Sequence, residues 1–316
     1  MRVKSISHVA YFATHVARMS EFLADFGMRP VALDDGRLYM GGTDAAPFVH
    51  VCVPSHRTGL AWIAFEVESR QDLAEAACLE GASSIEPVAG PAEGACVRLI
   101  DPDGVEVRLV HWTRPSRAGY AATPAPAPNL PWQRQRLGVP VRVGSERSEV
   151  FRLGHVLLNV RDVHASGQWY ARHLGLRLSD SLHAEAAGEL VGAFYRLSRG
   201  DEYVDHHSIG FVQSLSSPGT AHHASFEMAS FDALGSAHQV LQRRGWTHRW
   251  GIGRHVLGSQ IFDYWYDPEG NIVEHYADGD VFNEGAAAGR HLNSPDILAQ
   301  WAPPLPQARD AGGQAR

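Results

Sequence analysis

Between Gly253 and Asp280 the chain reads GRHVLGSQIFDYWYDPEGNIVEHYADGD, and three of its side chains could do chemistry together. His255 offers a titratable imidazole, Tyr264 a phenol, and Glu274 a carboxylate set among Ile272, Val273 and Tyr276. Asp267-Pro268-Glu269-Gly270 puts Pro and Gly around an acid, the mark of a tight turn. Aromatic and β-branched residues on either side predict two strands. A mid-strand carboxylate is costly to bury unless it is paired or bound to a cation. Something cationic is therefore expected beside Glu274.

Composition narrows the classes of function. The 316 residues, 44% hydrophobic and 20% charged, suit one large or two ordinary globular domains. A net charge of −7 and the lack of a basic run argue against nucleic acid as a partner. No stretch approaches a membrane span, and MRVKSISHVAYFA lacks an apolar signal region, so a cytoplasmic protein is expected. Cys52, Cys78 and Cys96 form neither a zinc pattern nor a disulfide framework. Histidine is abundant, with 18 copies, so position must decide which of them matter.

Self-similarity organises the remainder. Ser7-His8-Val9-Ala10-Tyr11-Phe12 matches Gly154-His155-Val156-Leu157-Leu158-Asn159. Each precedes an amphipathic helix, over 16–26 or 163–174, that ends at Gly27 or Gly175. Residues 61–67 match 222–228, again ahead of helices, opened by Ser69 in one copy and by Ser230 or Asp232 in the other. Residues 101–108 match 267–274. The chain reads as an α+β duplication of four strand–helix–strand–strand–strand units, near 5–54, 58–112, 152–213 and 220–278. The Pro-rich stretch 115–149 is expected to be an extended connector between domains at 1–114 and 150–290. Residues 291–316 are expected to form a mobile tail.

The paired βαβββ units, and above all the closing His-Tyr-Asp-Pro-Gly-Glu run, resemble the vicinal oxygen chelate (glyoxalase/bleomycin resistance) superfamily. The four-unit layout resembles its type I extradiol ring-cleaving dioxygenases, over residues 5 to about 285. This resemblance implies two domains, each an open barrel of two units. It implies extradiol cleavage of a catechol-type ring, with both atoms of O₂ incorporated, at a non-haem Fe(II) centre or its Mn(II) counterpart. Carried over by position, the metal ligands are His155, His223 and Glu274, and the catalytic groups are His207, His255 and Tyr264. Two imidazoles and one carboxylate leave one side of a metal open, as oxygen chemistry requires. Relatives of this kind are homo-oligomers, and the same is implied here.

Strand alternation checks the two histidines of that assignment, whereas Glu274 leans on the family motif. His155, Leu157 and Asn159 share one face of their strand, and the apolar trio Val156, Leu158 and Val160 shares the other. The same parity selects His223 over His222, but it does not choose between His206 and His207, where the family motif favours His207. In the first half the corresponding positions hold His8, Trp62 and Arg108, which cannot bind iron, so that domain is expected to be metal-free. Phe194, Tyr195, Trp246, Trp250, Ile252, Tyr276 and Asp278 are candidate pocket residues. Asp278 and Asp280 suggest polar rings such as trihydroxybenzenes. Two rival readings keep the fold: a glyoxalase-like metalloenzyme, and a non-catalytic protein that sequesters an aromatic ligand.

Overall fold

Four times along the chain a long apolar strand runs into a short helix and returns as a strand meander. The computed structural model describes residues 1–113, 127–142, 148–184 and 188–306. The first unit holds β1 (Val3–Ala13), α1 (Val16–Asp25), β2 (Arg29–Asp34), β3 (Arg37–Gly41) and β4 (His50–Pro54). The second holds β5 (Gly59–Val67), α2 (Arg70–Ala76), β6 (Glu86–Pro87), β7 (Gly94–Ile100) and β8 (Glu106–Trp112). The third holds β9 (Val150–Val160), α3 (Val163–Leu174), β10 (Arg177–His183), β11 (Leu190–Arg196), the short β12 (Val204–Asp205) and β13 (Ile209–Gln213). The fourth holds β14 (Thr220–Met228), α4 (Phe231–Arg243), β15 (His248–Arg254), β16 (Ile261–Tyr266) and β17 (Ile272–Ala277). β18 (Val281–Phe282), β19 (Gly289–Leu292) and a 3₁₀ turn (Pro295–Ile297) follow.

Local chemistry sets the helix boundaries. Ser69 and Ser230 each accept a backbone N–H from the first turn of their helices, which settles the start of α4 on Ser230. α3 ends at Gly175 in the left-handed conformation. α1 stops at Asp25, one residue before the expected Phe26.

Each half forms one curled sheet. The orders are β2-β3-β4-β1-β5-β8-β7-β6 and β15-β16-β17-β14-β9-β13-β11-β10-β19. In both, the leading strands of the two units pair antiparallel at the centre, and each pairs in parallel with the last long strand of its own unit. One strand face carries the apolar residues that pack on the helices, such as Val156, Leu158, Phe226 and Val273. The other faces a concave interior. In the first half Tyr39, Phe48, Trp62 and Trp112 pack together on that interior side. His8 Nε2 accepts from Trp62 Nε1 at 3.1 Å, and the Arg108 guanidinium lies 3.5 Å from the Trp62 ring centre.

The two halves grip each other reciprocally through their repeated turns. Glu269 accepts the backbone N–H groups of Thr14 and His15, at 2.8 and 2.9 Å, where α1 begins. Asp103 accepts the N–H of Arg161 at 3.1 Å, and Asp101 accepts from the Tyr170 hydroxyl on α3 at 3.2 Å.

Residues 291–305 differ from the expected mobile tail. β19 pairs in parallel with β10, and Arg254 exchanges backbone hydrogen bonds with Gln300 and Trp301. Residues 307–316, the rest of that tail, and parts of the connector (114–126 and 143–147) lie outside the described residues.

His50 is fully buried, stacked on Tyr11 and 6.3 Å from Phe226 of the other half. Burial lowers its pKa from 6.5 to about 3. The unfolded chain therefore binds the extra proton between pH 6.5 and 3, so stability is lost as pH falls through that window. Relative to His50→Leu, which lacks this group, the native protein should lose on the order of 2 kcal/mol between pH 7 and pH 5. Urea unfolding of both proteins at the two pH values measures this, and an unchanged gap would count against a neutral buried His50.

Candidate metal centre

β17, β14 and β9 are neighbours in the second sheet, and their register decides which side chains meet. Ser225 of β14 pairs with His155 on one side and with Glu274 on the other. Residues paired across adjacent strands share a face, and His223, two positions before Ser225, shares it too. His155 Nε2 lies 3.2 Å and His223 Nε2 3.3 Å from Glu274 Oε2, and the two nitrogens are 3.4 Å apart. All three residues are buried.

Electrostatics gives this cluster the protonation state of a donor set. Burial alone would raise the Glu274 pKa, but the imidazoles of His155 and His223 overcome it and hold the carboxyl well below its usual range. Burial lowers His155 in spite of Glu274, so its imidazole is neutral. Yet neither Glu274 oxygen takes a hydrogen bond of sound geometry. A buried carboxylate in that condition calls for a cation. Ligand atoms about 2.1 Å from an ion sit roughly 3 Å apart, so the observed spacing fits one.

A second group of the same composition makes a useful contrast. His238 on α4, His248 on β15 and Asp263 on β16 also converge. Here Asp263 accepts from His238 Nδ1 at 3.0 Å, from His248 Nε2 at 2.8 Å and from Trp265 Nε1 at 2.6 Å. Those are ordinary hydrogen bonds, and they satisfy the carboxylate without an ion. Nothing in the sequence marks this group, because its members sit on three elements with no motif in common.

The remaining expected residues surround the first cluster. Tyr264 pairs in register with Glu274. His255 Nδ1 is 2.7 Å from the Leu298 carbonyl, which can only accept, so Nδ1 carries the hydrogen and Nε2 is bare. The Tyr264 hydroxyl, 2.9 Å away, therefore donates to His255 Nε2. Burial, then the charge of Glu274, raises Tyr264 well above its usual pKa and keeps the phenol protonated. The His207 ring lies 4.1 Å from that of His155, and burial with its histidine neighbours keeps it neutral. His206 turns away from the cavity that His207 borders.

These groups line a cavity of about 280 Å³, close to the lower end of small-molecule sites. Phe194 and Trp250 border it as expected. Five other candidates do not. Tyr195, next to Phe194 on β11, points to the opposite face, and its hydroxyl fills the space that a side chain at Gly167 of α3 would occupy. Trp246 donates to Asp25 and packs edge-on against Phe22 in the first half. Ile252 packs against the apolar core, and Tyr276 lies beside His155 away from the cavity. Asp278 pairs with Arg254 at 2.7 Å and Asp280 accepts from Ser259, both outside the cavity, as charges that can stay near water do.

Other lining residues escaped the sequence reading. A register shift between Ala221 and His223 lets His222 border the cavity beside His223. Arg249 joins from β15, and Ile297, Leu298 and Leu305 close one wall from the C-terminal strap.

Comparison with known proteins places this geometry. Residues 152–275 match the model of the Glyoxalase/Bleomycin resistance protein/Dioxygenase superfamily. Metapyrocatechase 2 of Cupriavidus necator is 34% identical over 316 residues, covering 96% of this chain and 91% of that protein. The chain belongs to this superfamily. Homoprotocatechuate 2,3-dioxygenase from Arthrobacter globiformis shares its fold, with a TM-score of 0.78 and 17% identity over 96% of this chain and 89% of that one. So does a Mn(II)-bound glyoxalase from Novosphingobium aromaticivorans, with a TM-score of 0.76 and 21% identity over 99% of this chain and 97% of that one. Among the described residues no helix is long and apolar enough to cross a membrane.

The contrast between the two clusters is open to test by metal analysis. Protein reconstituted with Fe(II) or Mn(II) and then desalted should carry about one ion per chain. Glu274→Ala should abolish that binding and His248→Gln should leave it intact. Loss in His248→Gln alone would reverse the assignment.

Proposed function

We propose that this chain cleaves a catechol-type ring beside its diol, incorporating both atoms of O₂, with Fe(II) held by His155, His223 and Glu274. The observation that carries the reading is the convergence of two imidazoles and one ionised, fully buried carboxylate beside a largely apolar cavity that both imidazoles line. The likeness to metapyrocatechase 2 over nearly the whole chain supports it. Bound iron would supply a redox-active centre with open positions, where a diol and dioxygen can react together.

The protein's own groups have distinct parts. Tyr264 and His255 hold one hydrogen between Tyr264 oxygen and His255 Nε2, ready to bond a diol oxygen. His207 presents its other ring nitrogen, Nε2, to the cavity, where it can take up or return a proton. Trp250 and Phe194 border the space for a planar ring and give it apolar surface.

The rest of the lining bears on the ring itself. Leu182, Val191, Val212, Ile297, Leu298 and Leu305 are apolar and outnumber the polar His222, Gln260 and Asn293, and Arg249 already donates to the Tyr266 hydroxyl at 2.6 Å. With Asp278 and Asp280 outside the cavity, an alkyl- or aryl-substituted catechol fits better than a polyhydroxylated ring.

Two measurements test these assignments. Oxygen uptake by Fe(II)-reconstituted protein should give kcat/KM at least about 10-fold higher for 3-alkylcatechols than for a trihydroxybenzene or a catechol bearing a carboxylate. A preference for the carboxylate would instead assign its recognition to Arg249. His207→Ala should lower kcat by roughly 100-fold or more and move KM far less. Equal losses in both would remove the proton-transfer role.

A further inference from the structure

His207 is the inner end of a chain of polar groups that runs to the surface. Its Nδ1 lies 2.9 Å from Nδ1 of His206. His206 Nε2 lies 2.6 Å from Asp180 Oδ2, and His291 Nε2 of β19 lies 2.8 Å from Asp180 Oδ1. His206 and His207 are almost wholly buried, whereas the His291 side chain is 32% exposed.

The order of donors along this chain follows from what each group can do. Burial would raise the Asp180 pKa, but the hydrogen bonds from His206 and His291 overcome that and lower it, so the group is an ionised acceptor. His206 must then donate from Nε2. With a single N–H on its ring, spent on Asp180, His206 meets His207 through Nδ1 as an acceptor. The only hydrogen left for the contact between the two rings is on His207 Nδ1. His207 Nε2 is thereby a bare lone pair, the nitrogen left free of His206 on a ring that borders the cavity.

We propose that Asp180 is a positioning residue that fixes the tautomer of His207 through His206, so that the cavity-facing nitrogen is a proton acceptor before any substrate arrives. In terms of the ring-cleavage reading, on which its catalytic meaning rests, His207 receives a hydroxyl proton from the diol before it serves as a donor. The device is assembled by the C-terminal strap. β19 pairs Gly289 with Asp180, and a side chain at Gly289 would overlap both Asp180 Oδ1 and His291 Nε2.

The tautomer can be read without turnover. In metal-free protein labelled with ¹⁵N-histidine, the His207 signals, assigned by their loss in His207→Gln, should show a protonated Nδ1 and an unprotonated Nε2. In Asp180→Asn, whose amide can donate or accept, His206 is no longer held to one form, and His207 should become a mixture of tautomers. With metal restored, kcat of that variant should fall roughly 10-fold with KM little changed, and Asp180→Glu should recover part of the loss. A protonated Nε2 on His207 in the native protein overturns the proposal, and so does a tautomer indifferent to Asp180→Asn. Should Asp180→Asn fail to fold, the native spectrum decides by itself. The stated tautomer in a protein that cleaves no ring would refute the function and spare the device.

Discussion

Glu274 is a charge in the middle of a sheet with no access to water. Desolvating a lone carboxylate costs several kcal/mol, and only close positive or hydrogen-bonding partners offset it. Everything around it is arranged to that end. The two long central strands are antiparallel to each other and parallel to their outer neighbours, which sets one residue from each of three strands side by side. Backbone pairing, rather than any flexible loop, thus fixes the spacing of the donors.

The first half shows what the same frame does once that charge is gone. Ala64 pairs with both His8 and Arg108, as Ser225 does with His155 and Glu274. An arginine there needs partners of its own and finds them in Glu106, at 2.6 Å, and on the face of Trp62. Aromatic side chains then occupy the concavity. Two equivalent architectures have diverged through a few inward-facing positions, with the outer, helix-packed face of each strand left apolar.

Much of this was legible in the sequence, for a definite reason. Repeats of apolar strands, capped helices and acidic turns are local signals, and alternation fixes faces once a strand is assigned. Parity set His155 and His223 on one face but missed the register shift that brings His222 to the cavity as well, and it would also have rejected Tyr195 as a neighbour of Phe194. The errors lie where contacts are long-range. β19 has four residues, no periodicity of its own and a partner, β10, more than a hundred residues earlier, so it read as part of a tail. Asp180, His206 and His291 meet only because of that pairing. The apolar strap residues Ile297, Leu298 and Leu305 escaped for the same reason.

The reciprocal turns carry an evolutionary consequence. The acid that receives the start of α1 belongs to the fourth unit, and the acids that receive α3 and Arg161 just before it belong to the second. A gene reduced to the later half would keep the whole donor set and lose the groups that anchor one of its helices. Such cross-bracing gives a reason for the earlier copy to persist without a donor set of its own: it is part of the scaffold on which its twin depends.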